Sequence, residues 1–421
     1  MKQRIISSLK WSEKYTKIDM TYLASGFFWG NINYVFFSVL GFVVSILFAR
    51  YLTKETYGIY QYILSIASLI GATTLTGMNS AVTRAIAQGN EGDLKSSTRY
   101  QIVFGIIPMV ISFGISFWYL IHGRSDFALA FLWIPLFLPL GNAFNTWAAY
   151  LGGRKLFQSG TYFGLLNSLI SYTGIITLVY FTRDFVWITF ATFFFGFLGN
   201  IVLYHLVTRR IPPNDKTNPD TIPYGKHLSL MAIPGIVSAQ LDAFLIFQFI
   251  GPAGLAIYSF ATIIPEKLAG ALKTISNIAL PKFSMKSESG VSDFVFKKIW
   301  WILLFVLLSA GIYVLFVPWL FNTFFPAYSD SILFSQVYAL SFFSVVATFL
   351  QSALTSQQRT KELYIVSFTI PSIKIVLLVT LMYYFKVWGV IWAQIITNFI
   401  SISLQMYLLK HKKLEGITKT V

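Results

Sequence analysis

Cysteine is absent from the 421-residue chain, which excludes disulfides, thiol nucleophiles and cysteine-ligated metals together. Histidine is nearly absent. His122, His205, His227 and His411 are scattered without an i,i+4 pair, so no metal site is expected. Charge is also scarce, at 11% of residues against about 25% in soluble domains. No GxxxxGK[ST] loop occurs, so the chain carries no phosphate-binding loop for driving transport with ATP on its own. No cleavable leader is expected either, because Met1 to Met20 is basic and mixed, and the first apolar helix is expected to direct insertion itself. What the chain has is apolar surface, 56% hydrophobic residues with a mean hydropathy of +0.66. That composition excludes a soluble enzyme and predicts an all-α polytopic membrane protein.

A helix crosses the hydrocarbon core with about 20 mostly apolar residues. Twelve segments meet this length, at roughly 25–49, 57–82, 101–121, 127–150, 161–181, 185–207, 228–250, 253–280, 299–320, 331–355, 363–384 and 387–409. Of the 32 Lys and Arg residues, 24 then fall on the side of the N-terminus, five on the other side (Arg50, Lys54, Arg124, Arg183 and Lys386) and three within spans. The positive-inside rule places both termini in the cytoplasm. The net charge of +16 is thereby accounted for by orientation and anionic lipid, without nucleic acid. Connections on the opposite side are short, which leaves no room for an external catalytic domain, and no catalytic residue or cofactor is expected. Ile5, Ile6, Leu9 and Trp11 among lysines and arginines predict a helix lying on the cytoplasmic surface. Trp11, Trp29, Trp118, Trp187, Trp300 and Trp301 fit an aromatic belt at the interfaces.

The longest hydrophilic connection, 208–227, carries Pro212, Pro213, Pro219 and Pro223 at the middle of the chain. It divides the spans into two lobes of six, residues 1–210 (with the N-terminal interfacial segment) and 211–421 (with a basic tail). Since six is even, the two are related as a parallel repeat. Aligned at an offset of 198, Tyr57–Arg84 and Leu255–Lys282 share six of 28 positions: Ile59/Ile257, Tyr60/Tyr258, Ile66/Ile264, Thr76/Thr274, Asn79/Asn277 and Ala81/Ala279. At 100° per residue, Gln61, Ser65, Ser68, Ala72, Thr76 and Asn79 share one face of the second span. Ser259, Thr262, Glu266, Gly270, Lys273 and Asn277 do so on the eighth. Asn31, Ser38 and Ser45 recur every seven residues on the first. Such stripes suit either a shared polar cavity or close helix packing.

Five ionisable residues fall within spans, all in the second half: Asp242, Glu266, Lys267, Lys273 and Lys374. Each costs about 2.5–3.5 kcal/mol at mid-bilayer on the insertion scale. Two roles follow. The groups neutralise one another, or Lys267, Lys273 and Lys374 receive an anionic head group while Asp242 and Glu266 serve ion coupling or charge pairing. Pro265 and Pro371 lie beside these charges and bend helices.

The segment ARYLTKETYGIYQYILSIASLIGATTLTGMNSAVTRAIAQ (Ala49 to Gln88) resembles the first-to-second helix region of polysaccharide and O-antigen flippases of the Wzx type. LDAFLIFQFIGPAGLAIYSFATIIPEKLAGALKTISNIALPKFS (Leu241 to Ser284) resembles their seventh and eighth helices, and VWGVIWAQIITNFISISLQMYLL (Val387 to Leu409) their last. That superfamily also holds the multidrug and toxin extrusion transporters and the lipid II flippases. The resemblance implies a two-lobed, alternating-access flippase of the bacterial cytoplasmic membrane that moves an undecaprenyl-pyrophosphate-linked oligosaccharide, an O-antigen, capsule or exopolysaccharide unit. It implies a cationic interior. Glycan polymerase or assembly proteins are expected as partners, and a separate hypothesis has Asp242 or Glu266 bind H⁺ or Na⁺ as a coupling ion. The chain departs from an equally cationic cavity in both lobes, because its first half has no charge at mid-depth.

Three other readings compete. An ion-coupled multidrug or cation antiporter of the same superfamily would favour carboxylates, which Asp242 and Glu266 permit and three lysines oppose. A major facilitator carrier would place a DRxGRR-like loop after the second helix, where Gly89 to Arg99 reads GNEGDLKSSTR. A glycan polymerase or ligase would need a long outer loop.

Overall fold

The computed structural model describes residues 20–284, 288–357 and 359–411. Among them all regular structure is helical. The expected surface helix around Ile5 to Trp11, the basic tail beyond His411 and the side chain of Asn277 lie outside the described residues.

Among the described residues ten helices are long and apolar enough to cross a membrane, and the twelve expected spans map onto these with two departures. The first is the second span. It runs as Lys54–Gly71 and Met78–Ala87, with irregular backbone between and Leu75 at φ +59°. The sequence GATTLTG explains the break. The Thr73 and Thr74 hydroxyls donate back to the Ile70 and Gly71 carbonyls at 2.7 Å each, and Asn142 Nδ2 donates to Thr74 Oγ1 at 2.9 Å. Polar side chains that bond nearby backbone offer it an alternative to the helix. The face that joins Gln61, Ser65 and Ser68 to Thr76 and Asn79 therefore does not continue across residues 72–77. Its partner on the eighth span, Pro252–Ser284, is one unbroken helix.

The second departure joins the last two spans in one run, Thr360–Lys410. At 1.5 Å per residue its 51 residues would reach about 75 Å, far beyond a bilayer core of about 30 Å. Lys386 breaks it at φ +51°, ψ −128°. A side chain on Gly389 would overlap the Leu381 carbonyl, so the chain reverses here and glycine is required.

Smaller interruptions have local causes. The third span bends at Gly105, between Asp93–Phe104 and Ile106–Ile121, where Pro108 supplies no N–H to the preceding turn. The tenth passes from Ser331–Tyr338 through a 3₁₀ stretch, Ala339–Phe343, to Ser344–Ser356. Large apolar side chains such as Phe117, Val110 and Leu315 are exposed, the last at 83%. This is surface that lipid covers.

The chain forms two compact units. The first holds the described residues through Phe247 with Gly251–Ala253; the second holds Gln248–Ile250 and the described residues from Gly254 onward. The seventh span, Thr221–Phe249, thus packs within the first unit nearly to its end. A core of Leu75, Met78, Val82, Ile86, Leu94, Trp147, Tyr150, Leu203 and Val207 lies under the connections on the basic side of that unit.

Candidate functional site

The eighth span carries most of the intramembrane charge. Glu266 and Lys273 lie two turns apart on it, with Glu266 exposed and Lys267 and Lys273 half-buried. The tenth span packs against this helix within the same unit. Ser331 Oγ donates to the Ile257 carbonyl at 2.9 Å, and the Phe260 and Tyr328 rings lie 3.8 Å apart. Where the tenth span loosens into its 3₁₀ stretch, the Tyr338 hydroxyl donates to Glu266 Oε1 at 3.0 Å. Lys267 and Lys273 both lie within electrostatic reach of that carboxylate. Lys374 is half-buried on the eleventh span of the same unit, one turn beyond Pro371. Asp242 belongs to the first unit, where its Oδ1 accepts from the Ala243 N–H at 2.8 Å.

The polar stripes divide into packing groups and others. Ser45 donates to the Gly41 carbonyl at 2.7 Å, Ser65 to the Tyr62 carbonyl at 2.7 Å, and Gln61 to the Tyr57 hydroxyl at 2.6 Å. Thr262 is buried and donates to the Ser259 carbonyl at 3.3 Å. Side chains tied to their own helix in this way are occupied by packing. Asn31, Ser38, Ser68 and Ser259 are half-buried. Asn79 is distinct: its Oδ1 is buried without a hydrogen-bond partner, at the start of the second half-helix. Among the described residues no group of three His, Asp or Glu side chains is placed to hold a metal.

The basic side holds residues that sequence reasoning missed. Glu91 accepts from Arg154 Nε at 2.6 Å and Nη2 at 2.9 Å, and from the Asn214 backbone N–H at 3.0 Å. The Arg154 guanidinium beside it holds the Glu91 carboxyl below the usual carboxylate range. Tyr150 donates to the Ile211 carbonyl at 3.1 Å, at the end of the sixth span. A parallel arrangement closes the second unit. Arg359, 4% exposed, donates from Nη1 to the Leu408 and His411 carbonyls at 2.8 and 3.1 Å and lies 4.0 Å from Glu362. In the first half the end of the fourth span, at Tyr150, binds the carbonyl just past the sixth; in the second, the connection after the fourth helix of the set binds the last carbonyls of the sixth through Arg359. The signals available in sequence were the GNEGD run and an arginine in both connections; both read only as loop charge.

A family model described as polysaccharide biosynthesis protein matches residues 23–287, more than half of the chain. The chain belongs to the polysaccharide biosynthesis protein family. No curated protein matches it. Among solved structures, an outward-facing multidrug resistance MATE family transporter of the MOP superfamily matches this member at a TM-score of 0.57 and 12% identity, covering 91% of this chain and 94% of the other. The lipid II flippase MurJ, in an inward closed conformation, matches at 0.61 and 14%, covering 90% and 87%. A MOP superfamily transporter from Pyrococcus furiosus, described as having reversed polarity in its binding pocket, matches at 0.51 and 13%, covering 93% and 94%. At these identities the likeness establishes the fold, that of the MOP transporters, and the family adds polysaccharide biosynthesis.

Proposed function

We propose that this polysaccharide biosynthesis family member is a flippase. It moves an undecaprenyl-pyrophosphate-linked oligosaccharide across the bacterial cytoplasmic membrane by alternating access, with both termini cytoplasmic. The observation that carries this reading is three intramembrane lysines, Lys267, Lys273 and Lys374, in one unit of a polysaccharide-family protein. A lysine ammonium is a compact donor suited to a phosphate, and burying it without an anion is costly. The 24 Lys and Arg residues on one side support the cytoplasmic placement of the termini. All three lysines lie in the second of the two repeat halves, 211–421. Asn31, Ser38, Ser68, Asn79, Ser259 and Asn277 supply polar groups for sugar hydroxyls, and assembly enzymes for the glycan are partners on either side.

Glu266 favours a coupling role alongside this one, because the Tyr338 hydroxyl supports its carboxylate. Protonation, or binding of Na⁺, would break or redirect that bond and reset the neighbouring lysines. Ligand-induced thermal shift on the purified protein tests the head-group assignment. Undecaprenyl pyrophosphate is expected to stabilise the wild type more than undecaprenyl phosphate does, and Lys267→Ala with Lys374→Ala to remove the difference. Equal stabilisation by the two lipids, or stabilisation only by a cationic dye, overturns it in favour of the antiporter reading.

A further inference from the structure

We propose that residues 211–229 form a built latch that fastens the seventh span to the six before it, so that the first unit opens and moves as seven helices. This goes beyond the flippase reading and stands whatever substrate is carried. A long proline-rich connection between two halves reads as a loose tether, yet here it is anchored at five successive points. Ile211 is held by Tyr150. Asn214 exchanges bonds with Glu91 in both directions: its Oδ1 accepts the Glu91 N–H at 3.1 Å, and its own N–H donates to the Glu91 carboxylate at 3.0 Å. Its Nδ2 also donates to the Gly89 carbonyl at 3.0 Å. The Lys216 carbonyl accepts from the Gly92 N–H at 2.8 Å, an approach that glycine permits because a Cβ there would meet the Lys216 carbonyl and the Thr217 methyl at 2.9 Å. Asp93 Oδ2 then accepts from the Asn218 N–H at 3.1 Å and from the Thr221 hydroxyl at 2.7 Å.

The contact continues into the helix. Arg84 lies 5.0 Å over the Tyr224 ring, and Lys226 lies 4.8 Å over Tyr100. Gly225 faces the Met78 thioether, and the Gly77 N–H donates to Ser229 Oγ at 3.0 Å. At the far end the Tyr62 and Phe247 rings stack at 3.9 Å and 13°. A side chain on Gly58 would overlap the Pro252 carbonyl. The attachment thus holds the seventh span at both ends, through Ser229 at one and Phe247 at the other. Glu91 and Asp93 are the keystones, because the Glu91 carboxylate joins Arg154 to Asn214 and Asp93 Oδ2 holds both Asn218 and Thr221.

Hydrogen exchange on the full chain in lipid nanodiscs tests this without any transported ligand. In the wild type the amides of Gly92, Asn214 and Asn218 are expected to exchange at least 100-fold more slowly than an open loop. Glu91→Gln and Asp93→Asn together should speed residues 211–229 at least tenfold and loosen the seventh span with them, leaving the ninth to twelfth spans unchanged. The milder Thr221→Ala should give a smaller change confined to the same segment, and it decides the matter if the double variant does not fold. Open-loop exchange of 211–221 in the wild type overturns the proposal, as does unchanged exchange in the variants or equal loosening of the ninth to twelfth spans.

Discussion

Gly58 gives the sharpest test of the packing in the first unit. A Cβ at this position would fall onto the carbonyl carbon and oxygen of Pro252, backbone atoms that cannot rotate aside as the end of a flexible side chain can. Gly→Ala in a helix ordinarily stabilises by up to about 1 kcal/mol, while overpacking a tight contact costs about 1–3 kcal/mol. Because the clash is with backbone, the upper end of that cost applies, and the balance for Gly58→Ala is a net loss of up to about 2 kcal/mol. Gly30 is the matched control, since nothing lies within 4 Å of the Cβ it would gain; Gly30→Ala should be neutral or stabilising. With each kcal/mol worth about 2–4 °C in a unit of roughly 150–250 residues, the two variants should unfold several degrees apart. The 11 tryptophans provide the fluorescence signal for thermal unfolding in detergent. Coincident transitions for the two variants would refute the close approach of the second span to the turn before the eighth.

The remaining predictions concern charge. Glu91 has its carboxyl lowered chiefly by the Arg154 hydrogen bonds, so its contribution is full above the ordinary Glu value and fades as pH falls towards the lowered native one. The gap in thermal stability between wild type and Glu91→Gln should therefore be constant near neutrality and shrink below about pH 4.3; a gap that widens in acid contradicts the ion pair. Arg359→Ala removes a buried cation that caps the last helix and should cost about 2–4 kcal/mol, read as a lowered unfolding temperature with early protease cleavage near Lys410; retention of both denies the cap. Tyr338→Phe deletes the donor to Glu266 and should slow transport several-fold at unchanged protein level, and unaltered transport removes that pair from the mechanism. Lys267→Ala with Lys374→Ala should lower transport far more than expression, and full activity of the double variant would sink the anion site.

Composition and apolar length were enough to read the helical class and the number of spans, because the bilayer imposes a length on every crossing helix. The same features hid the break at Ala72–Gly77. Its threonines are common in packing stripes, and only the tertiary bond from Asn142 to Thr74 shows that the backbone has left the helix there. Glu266 was legible as a functional candidate from its depth, but Tyr338 was not, since its bond to Glu266 spans 72 positions and depends on how the eighth and tenth spans pack. The bonds of the linker were hidden for a related reason. Asn214, Asn218 and Thr221 are ordinary turn residues by composition, and their partners Glu91 and Asp93 lie more than 120 positions away. An arginine follows the fourth helix of each set, Arg154 and Arg359, but the first pairs with the Glu91 carboxylate and the second with the carbonyls of the last helix.

Leaflet translocation in proteoliposomes tests the central claim most directly, with a fluorescent undecaprenyl-pyrophosphate glycan and a cationic dye offered to the same preparation under an imposed proton gradient. The account predicts that the lipid-linked glycan crosses, that the dye does not, and that Lys267→Ala with Lys374→Ala abolishes the crossing. Movement of the dye with the glycan left in its original leaflet would contradict it and make Asp242 and Glu266 the residues of an exporter.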